Sequence, residues 1–145
     1  MTNKLVDEIT STMKIDPDEY SPITSSNRAT SLGYAVAGWL YMLHRQKNTR
    51  IQAVASIFIL VFAVWLQVDF YGIALLIIMI TIVWMAEFVN AAVEAAVNLA
   101  TDEIHPMAKV GKDVASAAVL LGVVASVLVG LLVLGPPLLQ RLGLF

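Results

Sequence analysis

From Phe70 to Ala86 the chain carries no charged residue and is rich in Ile and Leu. A run like that reads as a membrane span. Directly after it, in a stretch that stays mostly apolar, come Glu87, Asn90, Glu94 and Asn98. A carboxylate at membrane depth is costly, which makes function the default explanation for one. At about 100° per residue the four positions fall at roughly 0°, 300°, 340° and 20°. The polar groups therefore share one narrow face of a helix.

Composition agrees with a bilayer as solvent. Of the 145 residues 59% are hydrophobic and 14% charged, with mean hydropathy +0.79, whereas a soluble domain carries about 25% charged residues. Three stretches are long enough to span at about 20 residues per crossing: about 51–68, about 71–100 and about 114–139. The expected architecture is all-α, with three transmembrane helices in one domain over 30–145 behind a polar tail, 1–29. Cysteine is absent and His44 and His105 are the only histidines. Thiol chemistry is excluded and a histidine-rich metal site is not expected. A net charge of -2, with no basic tract, gives no sign of nucleic-acid binding.

Of the nine Lys and Arg residues, six precede the first span, Lys109 and Lys112 lie between the second and third, and only Arg141 follows the third. The positive-inside rule then puts the N-terminus and the second loop in the cytoplasm and the C-terminus outside, in the plasma membrane. The first 25 residues are polar and acidic, so no cleavable signal peptide is expected. The cluster from Asp16 to Pro22 reads as a loosely held tail with no chemistry of its own.

Between about Thr30 and Lys47, apolar Leu32, Ala35, Val36, Trp39, Leu40 and Leu43 recur at helical spacing ahead of basic His44, Arg45 and Lys47. The pattern predicts an amphipathic helix at the cytoplasmic membrane surface, or a plain anchor for anionic lipid. The third span is rich in Ala and Gly, which lets helices pack closely in lipid, and is expected to end at Gly135-Pro136-Pro137. Pro106 marks either a break or a helix start.

If the second helix enters the bilayer near Tyr71, its rise of about 1.5 Å per residue puts Glu87 roughly 24 Å along it and Glu94 roughly 34 Å along. The hydrocarbon layer is about 30 Å thick. Glu87 thus lies near its inner edge, Glu94 at headgroup level, and Lys112 and Asp113 enter the third span there. Phosphoryl transfer has use for such a set: oxygen ligands for a hard cation, a cation on the phosphates and a carboxylate for the acceptor hydroxyl. No glycine-rich phosphate loop is present. Plainer roles are open too: Glu87 as a protonated structural partner, Asn98 as a cap or solvated group, His105 as a loop residue. A transporter is disfavoured because the outer half of the spans has no ionisable group.

Glu87-x-x-Asn90-x-x-x-Glu94, then His105-Pro106, then Lys112-Asp113-x-x-Ser116-x-Ala118-Val119, resembles the prokaryotic diacylglycerol kinase and undecaprenol kinase family of small membrane lipid kinases, over about Ser31 to Leu134. The His105-Pro106 loop looks more like the undecaprenol kinase branch. The resemblance implies an ATP- and Mg2+-dependent transfer of phosphate to a membrane lipid alcohol. It also implies a homotrimer whose sites lie at subunit boundaries under the surface helix. By position, Glu94 would be the catalytic base and a metal ligand. Glu87 and Asn90 would bind metal-nucleotide or hold the site network, and Lys112 and Asp113 would contact the phosphates and order the site. Two departures stand out. The family's metal-binding Glu at the end of the surface helix is Gln46 here, and its Asp one turn beyond the catalytic Glu is Asn98. A neutral amide oxygen is a weaker ligand for a hard cation. A catalytically attenuated or non-catalytic membrane scaffold of the same fold is therefore the alternative.

Overall fold

A computed structural model of the chain describes residues 27–100 and 105–144. Residues 1–26 of the expected tail, 1–29, and the loop segment 101–104 lie outside the described residues. The chain divides into two units, 1–40 and 41–145. Four helices are described: α1 (Arg28–Arg45), α2 (Lys47–Trp65), α3 (Phe70–Ala100) and α4 (Pro106–Arg141). The last three are long and apolar enough to cross a membrane, and 6–17% of their most apolar windows is buried within the chain. Large side chains such as Phe58, Val61, Ile78, Leu121 and Leu132 face outward. That is the exterior of a helix solvated by lipid or by neighbouring protein, and the chain is a multi-pass membrane protein.

In the first unit α1 starts at Asn27, whose Oδ1 accepts from the Ala29 N–H at 3.0 Å. This is a side-chain cap on an otherwise open helix end. Leu32, Val36, Trp39 and Leu40 are all exposed along it.

In the second unit α3 and α4 form a long antiparallel hairpin, and α2 packs against α3. Close approach is possible at Gly122, where an added Cβ would already lie 3.8 Å from the Val83 Cα. α2 ends in a Schellman turn: Val68 N–H donates to the Ala63 carbonyl and Gln67 N–H to that of Val64, each at 3.0 Å. Gln67 occupies the left-handed position, φ 57°, that usually takes glycine. Asp69 then caps α3, its Oδ1 accepting from the Gly72 N–H at 2.8 Å.

The third span departs from expectation at both ends. It begins at Pro106 rather than near 114, with the His105 Nδ1 accepting from the Met107 N–H at 3.2 Å. Proline at the first helical position lacks only an N–H that would have had no helical partner. Nor does Gly135-Pro136-Pro137 end it: both prolines sit inside the helix. The helix runs on past both of them to Arg141. The actual stop is Gly143, φ 70°, in a second Schellman turn where Leu144 N–H reaches the Leu139 carbonyl at 3.0 Å. Arg141 anchors this end, donating to the Trp65 carbonyl at 2.8 Å with its guanidinium 4.2 Å from the Trp65 ring centre. The first span, too, is shifted, to Lys47–Trp65 from the expected 51–68. The Schellman turn claims Leu66 to Val68, and the helix extends back through polar Asn48 and Thr49.

Candidate functional site

One cross-link sets the register of α2 against α3. Trp84 Nε1 donates to the Ser56 hydroxyl at 3.2 Å, and that hydroxyl donates to the Gln52 carbonyl at 2.7 Å. In an antiparallel pair each step back along one helix matches a step forward on the other. Ten residues from the Ser56–Trp84 contact, Gln46 stands level with Glu94. Between them Arg50 is level with Asn90, and Ala53 with Glu87. On α4, the Gly122–Val83 approach and a 2.7 Å hydrogen bond from Lys112 Nζ to Asn98 Oδ1 bracket the same level. Glu94 is thus level with residues 111–116, and Lys112 lies on that turn.

Gln46 is not the last residue of α1. It takes extended backbone (φ −95°, ψ 116°) between α1 and α2, and its side chain makes no capping bond to α2. Glu87 is buried, 6% exposed. It lines a groove of about 360 Å3 with Asn48, Ile51, Gln52, Val83 and Val119. The walls are nearly all apolar, so the groove places one carboxyl group beside hydrocarbon. Asn90 and Glu94 are half-buried on the same helix face. The Asn90 Oδ1 is buried with no hydrogen-bond partner, and so is the Oγ1 of Thr49 on the facing turn of α2. A buried oxygen without a partner is costly and is expected to meet one in the working state.

Lys112 and Asp113 part company. Lys112 reaches across the hairpin to Asn98, whereas Asp113 is exposed and pairs along its own helix with Lys109 at 2.6 Å. Three further polar residues belong to this neighbourhood: Asn48, Thr49 and Gln52. Their signal in the sequence was their position within two helical turns beyond Gln46, at the polar edge of a span.

No group of three His, Asp or Glu residues among the described residues is arranged to hold a metal by itself. Magnesium does not need one. It is commonly held by one or two carboxylates together with substrate phosphates and water. Glu94, the Gln46 amide oxygen on its level and the unpartnered Asn90 oxygen make a donor set that fits an ion arriving with a nucleotide.

The model of the prokaryotic diacylglycerol kinase family matches residues 33–134. A diacylglycerol kinase of Synechocystis sp. is 36% identical over 115 residues, covering 79% of this chain and 66% of that protein. One from Escherichia coli K12 is 33% identical over 96 residues, 66% of this chain and 79% of its own length. The undecaprenol kinase of Bacillus subtilis is 31% identical over 93 residues, 64% and 76% of the two chains. The family match spans all the site residues named above, the whole of α2 and α3, and α4 as far as Leu134.

Proposed function

The chain belongs to the prokaryotic diacylglycerol kinase family, a family of lipid kinases, and from that footing we propose that it transfers the terminal phosphate of ATP to the hydroxyl of a membrane lipid alcohol, diacylglycerol or undecaprenol. One observation carries the reading: Glu94 shares its face with Glu87 and Asn90, and Gln46 and Lys112 stand on its level.

Glu94 takes the proton of the acceptor hydroxyl as that oxygen bonds to the γ-phosphorus. The bond to the β–γ bridging oxygen breaks, and ADP leaves. Lys112 places its ammonium against the phosphates as a point charge. Asn90 and Glu87 hold the site network, and Asp113 orders the start of α4 through Lys109. A magnesium ion held by Glu94 and Gln46 would neutralise phosphate charge. The reaction sits at the cytoplasmic headgroup level, with the N-terminus inside and the C-terminus outside. α1 lies on the membrane surface, and three copies assemble so that neighbours complete one another's sites.

Purified protein in liposomes with labelled ATP and magnesium is expected to label diacylglycerol or undecaprenol. No label in either lipid would overturn the proposal, and the substrate panel identifies the acceptor. Gln46→Glu supplies a second carboxylate on the level of Glu94. It is expected to lower the magnesium concentration giving half-maximal rate by about tenfold, as an anionic oxygen replaces a neutral one. An unchanged magnesium requirement would remove Gln46 from the metal ligands.

A second reading, a non-catalytic scaffold, is favoured by the neutral Gln46 and Asn98. It predicts no magnesium-dependent nucleotide binding by calorimetry.

A further inference from the structure

The two lysines at the start of α4 stand in opposite electrical situations. Lys109 is paired with a carboxylate, Asp113, at 2.6 Å. Lys112, one turn away, has its ammonium on the amide oxygen of Asn98 at 2.7 Å, a bond that crosses from α4 to the last turn of α3. The two helices run near each other beneath it: a Cβ added at Gly111 would make ordinary van der Waals contact with the Val97 Cγ2, at 3.8 Å. An amide carbonyl orients an ammonium as a carboxylate does, but it contributes no negative charge. Among the described residues, the direction of the Lys112 side chain is set by a neutral group.

We infer that Asn98 is a positioning residue for the nucleotide: its amide oxygen holds Lys112 on the level of Glu94 while leaving the ammonium charge available to phosphate. The inference rests on the phosphate-binding role proposed for Lys112 and adds to it the residue that aims that side chain. A carboxylate at position 98 would hold the lysine equally well and compete with the phosphates for it. An apolar residue there would leave the charge but release the side chain, whose rotamer freedom would then be lost on binding.

The test is steady-state kinetics of the full chain in liposomes at saturating magnesium and lipid. Asn98→Asp and Asn98→Ala are each expected to raise KM for ATP by about two- to fivefold, the scale of one charge contact at an exposed site. The effect should fall on KM more than on kcat. Asn98 is exposed, so thermal midpoints should stay at the wild-type value. In a Lys112→Gln background the same two substitutions are expected to leave KM where Lys112→Gln alone puts it, because the coupled partner is gone. If their effect on KM persists undiminished there, Asn98 acts by another route and the inference fails. If Lys112→Gln raises KM but neither Asn98 variant does, the inference fails while the phosphate role of Lys112 stands. If Lys112→Gln leaves KM unaltered, that role falls, and the inference with it.

Discussion

Replacing Glu94 with Gln is expected to lower the rate of phosphate transfer by about 10²- to 10⁴-fold, the usual contribution of a positioned general base. The substitution keeps the size of the side chain and much of its hydrogen-bonding capacity. What it removes is the ability to take a proton, and with it the one anionic oxygen donor proposed for the metal. Because Glu94 is only half-buried on a helix held by the apolar hairpin, the protein should insert and assemble as wild type does. Labelled phosphate incorporation, normalised to protein recovered in the membrane, measures the loss. A Glu94→Gln protein that turns over within tenfold of wild type would remove Glu94 as the base. Glu94→Asp, one methylene shorter, keeps the charge and should fall between the two.

At the opposite membrane face the expected effect is on stability. At Gly72 an added Cβ would come within 2.5 Å of the Val68 Cγ1, and within 3.0 Å of both the Asp69 Oδ1 and the Val133 Cγ1. Those atoms belong to the Schellman turn after α2, the cap of α3 and the C-terminal half of α4. Gly72→Ala therefore has to push three elements apart at once, and the capping bond from Gly72 N–H to Asp69 stands in the way. Overpacking of this kind costs about 1–3 kcal/mol. The gain in helix propensity, about 1 kcal/mol for glycine to alanine, offsets only part of it. Thermal or denaturant unfolding in detergent should show a lower midpoint. An equal or higher midpoint would mean that the turn relaxes freely. Gly130, with nothing within 4 Å of its Cβ position, is the internal comparison: Gly130→Ala should leave the midpoint level or raise it.

Most of the membrane architecture was legible in the residues because a bilayer imposes a simple demand. A segment without water must satisfy its backbone internally, and about 20 apolar residues suffice to cross. The α3 boundaries, about 71–100 expected and Phe70–Ala100 found, follow from that demand together with a largely apolar helical pattern that continues beyond one crossing. The polar stripe of Glu87, Asn90 and Glu94 was legible for the same kind of reason: helical periodicity fixes which residues share a face before any partner is known.

Helix ends and cross-helix partners were not. Proline and glycine at 135–137 look like a stop, yet whether a helix ends there depends on what its next turn can hold, and here the Arg141–Trp65 contact anchors the turns beyond until Gly143 ends the helix. Lys112 and Asp113 are neighbours in sequence, but a helix turns them about 100° apart. One therefore reaches Asn98 on α3 and the other lies along its own helix beside Lys109. Periodicity acts within a segment, and so the sequence by itself determined the spans and the polar face of α3. The level along the bundle that Gln46, Glu94 and Lys112 share depends on how far one helix slides along another, a quantity decided by packing at Gly72 and Gly122 and by the Ser56–Trp84 bond.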